Sequence, residues 1–316
     1  MKRIGNIYEQ ITSLKNIQEA DAKAQKGKAN QYGVVLHKKN EEGNLLILQD
    51  LLISKTYRTS TYDIFKIYEP KERLVYRLPF FPDRITHHAI MNVLEPILVD
   101  TFTADTYSCI KERGIHQLLR NLKRDLRDTP GTEYCLKFDI KKFYPSIDHD
   151  VLKGLLRRKF KDPHLLWLLD EIIDSAPGLP IGNYLSQYLA NFYLAYFDHW
   201  IKETKRAKYY YRYADDIVIL SSDKAHLHQL LEEIKEYLCG LKLEVKDNHQ
   251  VFPVAARGID FVGYVFYHTH IRIRKQIKKN FARKIARNPD HPSRASYLGW
   301  LSHCDAKHLT KKLTLS

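Results

Sequence analysis

Tyr209-Tyr210-Tyr211-Arg212-Tyr213-Ala214-Asp215-Asp216-Ile217-Val218-Ile219-Leu220 is the stretch on which the fold turns. Two apolar, aromatic runs flank a pair of acids. Such runs with a short polar break read as a β-hairpin, here over residues 208–220, with an acidic turn. An Asp-Asp pair is ordinary in an exposed turn. Its setting is not: strands this apolar belong in a buried sheet, which would normally exclude two adjacent carboxylates.

Upstream, Tyr134-Cys135-Leu136-Lys137-Phe138-Asp139-Ile140 alternates. Leu136, Phe138 and Ile140 share one face of a strand, and Lys137 and Asp139 share the other. Asp139 therefore sits near a strand end, facing away from the packing side. Neighbouring strands lie about 4.8 Å apart, so strand and hairpin can bring Asp139, Asp215 and Asp216 within reach of shared cations, beside the Ile140 backbone. Carboxylates that close repel unless a cation stands between them. Two Mg²⁺ ions, or Mn²⁺ in their place, meet that need.

Working outward, residues 15–39 read as a helix followed by a loop, and 45–52 as a helix. Residues 57–76 read as strands, punctuated by Pro70. Arg73, Arg77 and Arg84 surround Leu78-Pro79-Phe80-Phe81-Pro82, and a helix follows over 83–98. Ile115, Leu118, Leu119, Leu122 and Leu126 have helical spacing, with Arg120, Lys123, Arg124 and Arg127 mainly on the other face. Residues 184–201 carry a broad apolar stripe behind Asn183, a candidate N-cap. Residues 227–238 form an amphipathic helix, 241–245 and 260–267 read as strands, and the basic tail 272–315 as helix. The order of elements predicts an α+β fold, an antiparallel sheet with helices on one face.

The 316 residues carry a net charge of +14, which points to a polyanionic partner. Cys109, Cys135, Cys239 and Cys304 lie far apart, which suits neither a zinc site nor a disulfide framework. The His87-His88 and His268-x-His270 groups lack partners at ligand spacing. The first twenty residues hold no signal-peptide core, and no stretch is long enough to span a bilayer. A reducing cytoplasm, with no membrane partner, is the expected setting.

Several motifs in one order carry a family resemblance. Tyr213-Ala214-Asp215-Asp216 resembles the Tyr-x-Asp-Asp motif of reverse transcriptases, and residues 138–147 resemble their first catalytic motif. Residues 82–97 look like the fingers segment of bacterial reverse transcriptases, and 258–264 like the primer-grip region. The matches run from about residue 70 to 265. The resemblance implies a right-hand polymerase fold: fingers over 1–105, a palm with some fingers-side helix over 106–268, and a short basic thumb over 269–316. It implies Asp139, Asp215 and Asp216 as catalytic metal ligands, with RNA template, a DNA or RNA primer and deoxynucleoside triphosphates as partners. It also makes Tyr144 the steric gate against a ribose 2′-OH, with Phe143 beside it, and places Lys246 at the triphosphate. Arg73 and Arg77 become candidates for the nucleotide, and Arg84, Tyr213, Ala214, Gly263 and Tyr264 for primer and template.

One departure narrows the resemblance. At Leu179-Pro180-Ile181-Gly182-Asn183-Tyr184-Leu185-Ser186-Gln187, retroviral and group II intron enzymes usually have Gln where Ile181 stands and Pro where Gln187 stands. The pattern Ile-Gly-x-x-x-Ser-Gln resembles the reverse transcriptases of diversity-generating retroelements. Ile181, Gly182 and Gln187 thus join the nucleotide-binding candidates. A site without a hydrogen-bonding Gln discriminates less between nucleotides. The resemblance implies error-prone copying opposite template adenines, a template-repeat RNA, and a small basic accessory protein forming a pentamer. Two other readings suit the residues: a retron, defence-associated or intron-type enzyme of ordinary fidelity, and a non-catalytic nucleic-acid-binding module on a polymerase scaffold.

Overall fold

The computed structural model describes residues 3–68, 72–287, 292, 294–307 and 311. Pro70 and parts of the basic tail therefore lie outside the described residues. The chain forms two compact units, neither of them one continuous stretch. The first comprises Met1–Thr103, Lys141–Tyr196 and Cys239–Leu243, and the second Ala104–Ile140, Phe197–Leu238 and Glu244–Ser316. Among the described residues no helix is long and apolar enough to cross a membrane.

The first unit is mostly helical. The Leu14–Gln25 helix starts at Ser13, whose hydroxyl accepts the Asn16 N–H at 3.3 Å, and buries Ile17, Ala20 and Ala24. It packs along the helix Ile85–Val99, which buries Ile85, Ile90, Leu94 and Leu98. The loop expected after residue 25 contains a further helix, Tyr32–Lys38. Its buried residues are only Val34 and His37, so it shows no apolar stripe to read. β1 (Asp63–Tyr68) and β2 (Glu72–Arg77) form an antiparallel hairpin with Asp63 opposite Arg77. Helices His149–Lys159 and Pro163–Ile173, which periodicity left unassigned, are capped by Asp148 and Asp162. Asp162 also accepts the Ile7 and Tyr8 N–H groups at 2.9 and 3.0 Å, tying the amino-terminal segment to this helix start.

Two histidines make this unit sensitive to acid. Burial, then the neighbouring His88 and Arg84, push the His87 pKa down to about 3. Burial, then Lys28, Arg84 and Lys23, push His88 down to about 4. An unfolded chain takes up these protons near the ordinary value of 6.5, whereas the folded chain refuses them. Stability is thus fully present above about 6.5 and is lost as pH falls towards 4. Among the described residues Nε2 of His87 has no hydrogen-bond partner. His87→Phe is therefore expected to flatten the dependence of the urea midpoint on pH in this window, and an unchanged slope would refute the assignment.

The second unit holds two sheets. β3 (Tyr134–Asp139), β4 (Tyr209–Tyr213), β5 (Asp216–Ser221) and β6 (Gln250–Pro253) form an antiparallel sheet in the order β4-β5-β3-β6. β7 (Ile259–Phe261), β8 (Tyr264–Phe266) and β9 (Ile271–Ile273) form a second. The helix Ile115–Asp125 buries Leu118, Leu119 and Leu122 in one core with Cys135, Tyr211, Val218 and Leu220 of the first sheet and Phe261 and Tyr264 of the second. This covers the Cys135 end of the sheet face. Lys137, Asp139 and Asp216, at the other end, stay partly exposed.

Several boundaries differ from expectation. Residues 241–245 form no strand; only Val245 makes a bridge, to Ile140, and the pairing strand is β6. The strand expected over 260–267 is split into β7 and β8 by a turn with positive φ at Val262 and Gly263. β9 stands where helix was expected, and the helices Lys275–Arg287 and Arg294–Leu301 follow it. The expected helix over 184–201 breaks at Leu194, giving Tyr184–Tyr193, Ala195–His199 and a wide turn over Trp200–Thr204.

Candidate active site

The hairpin turn is built as its sequence suggests. β4 pairs with β5 so that Tyr213 faces Asp216, which leaves Ala214 and Asp215 to make the turn. Ala214 adopts φ +56°, the left-handed conformation that such a two-residue connection requires. β5 also pairs with β3, and Asp139 lies directly opposite Asp216. The Ile140 N–H donates to the Asp215 carbonyl at 3.2 Å, and the Lys246 N–H to the Asp139 carbonyl at 2.9 Å. The Ile140 side chain is fully buried, so only its backbone is offered to the site. Asp139, Ile140, Asp215, Asp216 and Lys246 are thereby brought together.

Two ammonium groups stand among the three carboxylates. Lys246 Nζ is 3.7 Å from both Asp139 Oδ1 and Asp215 Oδ2. Lys137 Nζ lies 3.0 Å from Asp216 Oδ1 without hydrogen-bond geometry to it, and donates to Oδ2 at 3.2 Å. Lys137 also donates to the Asp260 carbonyl at 2.6 Å, joining the turn to β7. Burial pushes the Asp216 pKa up to about 6; Lys137 opposes that shift, while Asp139 and Asp215 add to it. A desolvated carboxylate beside two others is short of positive charge. The donors are hard oxygens, which suit a divalent cation of the Mg²⁺ or Mn²⁺ kind. Among the described residues no three His, Cys, Asp or Glu side chains are already gathered as a metal cage, so cation entry would require Lys246 to yield.

Beneath the turn lies a buried ion pair that the strand pattern does not reveal. Arg212 and Asp198 are both fully buried. Arg212 Nε and Nη2 donate to Asp198 at 2.8 and 2.6 Å, and Nη1 donates to the Ala214 carbonyl at 3.2 Å. Tyr210 and Thr106 donate their hydroxyls to the same carboxylate at 2.6 and 2.9 Å. The turn is thus held from below by a guanidinium whose own charge is met. The sequence signal was present in Arg212, a charged residue within a tyrosine-rich strand. Its partner was hidden by the unexpected break at Leu194.

The remaining candidates fall in two groups. In the second unit, Tyr213 is half-buried against the core. Tyr264 is buried, stacked on Trp300, with its hydroxyl donating to the Trp300 carbonyl at 3.0 Å. A side chain at Gly263 would strike the Trp300 ring. Gly263 and Tyr264 therefore seat the tail helix, and their side-chain positions are not free to meet a primer. In the first unit, Phe143 is a core residue, with Tyr144 edge-on to it at 5.6 Å. Arg77 is ion-paired with Asp63 and lies over Phe65, and Arg73 is exposed on β2. Arg84 is half-buried, and burial lowers its pKa. Gln187 is exposed on its helix.

The loop bearing Ile181 and Gly182 is docked on β2. The Ile181 carbonyl accepts the Tyr76 N–H at 2.8 Å. Gly182 has φ +125°, and a Cβ there would collide with the Tyr76 carbonyl oxygen. Asn183 occupies the N-cap position but does not cap; its amide donates to the Tyr62 hydroxyl at 2.9 Å.

Comparison with known proteins fits this geometry. Protein YkfC of Escherichia coli is 26% identical over 299 residues, covering 79% of this chain and 76% of YkfC. The group II intron-encoded protein LtrA of Lactococcus lactis is 28% identical over 139 residues, covering 40% of this chain and only 23% of LtrA. Among solved structures, telomerase from Candida Tropicalis, in complex with a fragment of telomeric RNA, superposes with a TM-score of 0.52 at 13% identity. That match covers 78% of this chain and about half of the telomerase chain (52%), and supports the polymerase fold alone. The model of the family "Reverse transcriptase (RNA-dependent DNA polymerase)" matches residues 69–266. With most of its length so matched, and Asp139 opposite Asp216 on adjoining strands beside the Asp215 turn, the chain belongs to the reverse transcriptase family of RNA-directed DNA polymerases.

Proposed function

We propose that this chain copies RNA into DNA, with Asp139, Asp215 and Asp216 and the Ile140 backbone holding Mg²⁺, for which Mn²⁺ can substitute. The strand register that opposes Asp139 to Asp216 and bonds Ile140 to Asp215 carries this reading. When bound, the cations activate a primer 3′ hydroxyl and neutralise the triphosphate. Lys137 partly offsets the Asp216 charge and ties it to β7. Lys246, displaced from the carboxylates, offers its ammonium to the phosphates. Tyr144 crowds a ribose 2′-OH, and the exposed Arg73 and Arg77 of the hairpin serve the nucleotide. The match to the family of RNA-dependent DNA polymerases supports an RNA template here, with a DNA or RNA primer. In this reading residues 1–105 serve as fingers, 106–268 as palm and 269–316 as thumb, in the cytoplasm.

The finer proposal is a mutagenic enzyme of a diversity-generating retroelement, error-prone at template adenines and working with a small basic pentameric partner. Ile181 supports it, since its side chain cannot hydrogen-bond a nucleotide. Ile181→Gln is expected to lower misincorporation opposite adenine by roughly tenfold, within the range one hydrogen bond to substrate supplies. Primer extension on a defined RNA, with the products sequenced, measures this. An unchanged error spectrum would favour the second reading, an intron- or retron-type enzyme of ordinary fidelity, which the similarity to LtrA supports.

A further inference from the structure

The β1–β2 hairpin bears Arg73 and Arg77, yet little of it is covered. Every residue of β1 is exposed, and of β2 only Val75 and Tyr76 are partly buried. A two-stranded hairpin without a core of its own is marginal in water, so contacts at its base set its position. There Ser60 donates its N–H to Asp83 at 3.0 Å, and Thr59 donates its own to Glu171 at 3.1 Å. Next along the chain stands Tyr62.

Tyr62 belongs to a directional chain of hydrogen bonds. Ser175, just beyond the Pro163–Ile173 helix, gives its hydroxyl proton to the Ile172 carbonyl at 2.6 Å. Its oxygen therefore accepts from the Tyr62 hydroxyl, 2.8 Å away. The Tyr62 oxygen in turn accepts the Asn183 amide at 2.9 Å. Hydrogen bonds linked in this way strengthen one another. Asn183 is buried at an N-cap position, where its side chain would ordinarily bond the N–H groups of its own helix. It serves Tyr62 instead. The Tyr62 ring also meets Tyr76 edge-on at 5.6 Å, and Tyr76 is the residue whose N–H binds the Ile181 carbonyl.

The segment 175–183 held in this way also bears on Tyr144. Leu179 donates its N–H to the Tyr144 carbonyl at 2.9 Å. Gly178, at φ +60°, comes so close that a Cβ would stand 2.5 Å from the same oxygen. A single short loop thus grips the hairpin at Tyr62 and Tyr76, carries Ile181 and abuts the backbone of Tyr144.

We infer that Tyr62 is a positioning residue for the incoming nucleotide: its hydroxyl, held between Asn183 and Ser175, fixes the hairpin against the Ile181 loop. Arg73, Arg77, Ile181 and Tyr144 then meet the nucleotide in one arrangement. The inference rests on the polymerase reading above. Tyr62 acts through these residues and not on the nucleotide. Without its hydroxyl the ring still meets Tyr76, but the buried Asn183 amide loses its acceptor and the tie between hairpin and loop is broken.

The test is single-turnover addition of one deoxynucleotide to a preformed primer-template by the full chain, which separates the nucleotide Kd from the maximal rate. Tyr62→Phe is expected to raise the nucleotide Kd roughly 5- to 30-fold, the span of one buried hydrogen bond left unmade, with maximal rate and primer-template Kd each within about twofold. Asn183→Ala is expected to do the same. The double variant should be no worse than either, because both changes break one tie. Circular dichroism checks folding, and if Tyr62→Phe does not fold the inference is judged on Asn183→Ala alone. An unchanged nucleotide Kd would overturn it. So would effects of the two changes that simply multiply, or a loss of rate and primer-template affinity in step with the nucleotide Kd, which marks general loosening of the unit. If the unaltered chain adds no nucleotide, the polymerase reading falls and the role of Tyr62 with it. If it does and the variants match it, only the role of Tyr62 falls.

Discussion

Asp215→Ala is expected to reduce primer extension by on the order of a thousandfold or more while leaving the fold intact. The size follows from the several kcal/mol of charge stabilisation that metal ions supply in such reactions, each 1.36 kcal/mol being tenfold. The intact fold follows from position. The Asp215 side chain is 36% exposed, and its role in the turn is played by its backbone, which alanine keeps. Removing one of three like charges also relieves repulsion on Asp216. Metal-dependent extension and the denaturation midpoint are measured on the same preparation. Extension lost in a folded Asp215→Ala chain would exclude a non-catalytic binding module on a polymerase scaffold; extension that persists would overturn the metal-site assignment.

Asp198→Asn is expected to cost about 3–5 kcal/mol of stability, although Asp198 contacts none of the three aspartates. The change leaves the Arg212 guanidinium buried without its counter-charge. It also weakens the acceptor shared by Tyr210 and Thr106. Replacing both partners by apolar residues, Arg212→Met with Asp198→Leu, should recover much of that stability, since a buried pair is often no more stabilising than well-packed hydrocarbon. Extension should not recover with it, because the Nη1 hydrogen bond to the Ala214 carbonyl is gone. Urea denaturation and primer extension on the single and double variants separate the two effects. Recovery of both together would show that Arg212 serves packing only.

The elements that could be read from sequence were those whose periodicity is local. Leu136, Phe138 and Ile140 mark β3, and Leu118, Leu119 and Leu122 mark the helix beside it. The acidic turn was legible because a polar pair interrupts two apolar runs. What could not be read was set by distant partners. Nothing near Leu194 breaks a helix, yet the break there sets Asp198 against Arg212. β6 and β9, of four and three residues, are too short for alternation to show. Tyr264 resembled a primer contact by motif, but Trp300, 36 residues later, covers it. Lys137 was already assigned to the face of Asp139; what sequence could not supply was the register that puts Asp216 opposite that face.

The interleaving of the two units has a consequence for how the protein is made and dissected. β3 must wait for β5, 77 residues on at the Asp139–Asp216 pair, and then for β6, 119 residues on at Tyr134–Pro253. Contacts so far apart in sequence slow folding, since chain entropy is lost before they form. A nascent chain released only as far as residue 200 would hold β3 with both sheet edges open, a template for pairing with other chains. No single cut yields either unit whole. A soluble fragment carrying the acidic turn would need three stretches joined anew, and a chain stalled midway through synthesis is the form of this protein most exposed to aggregation.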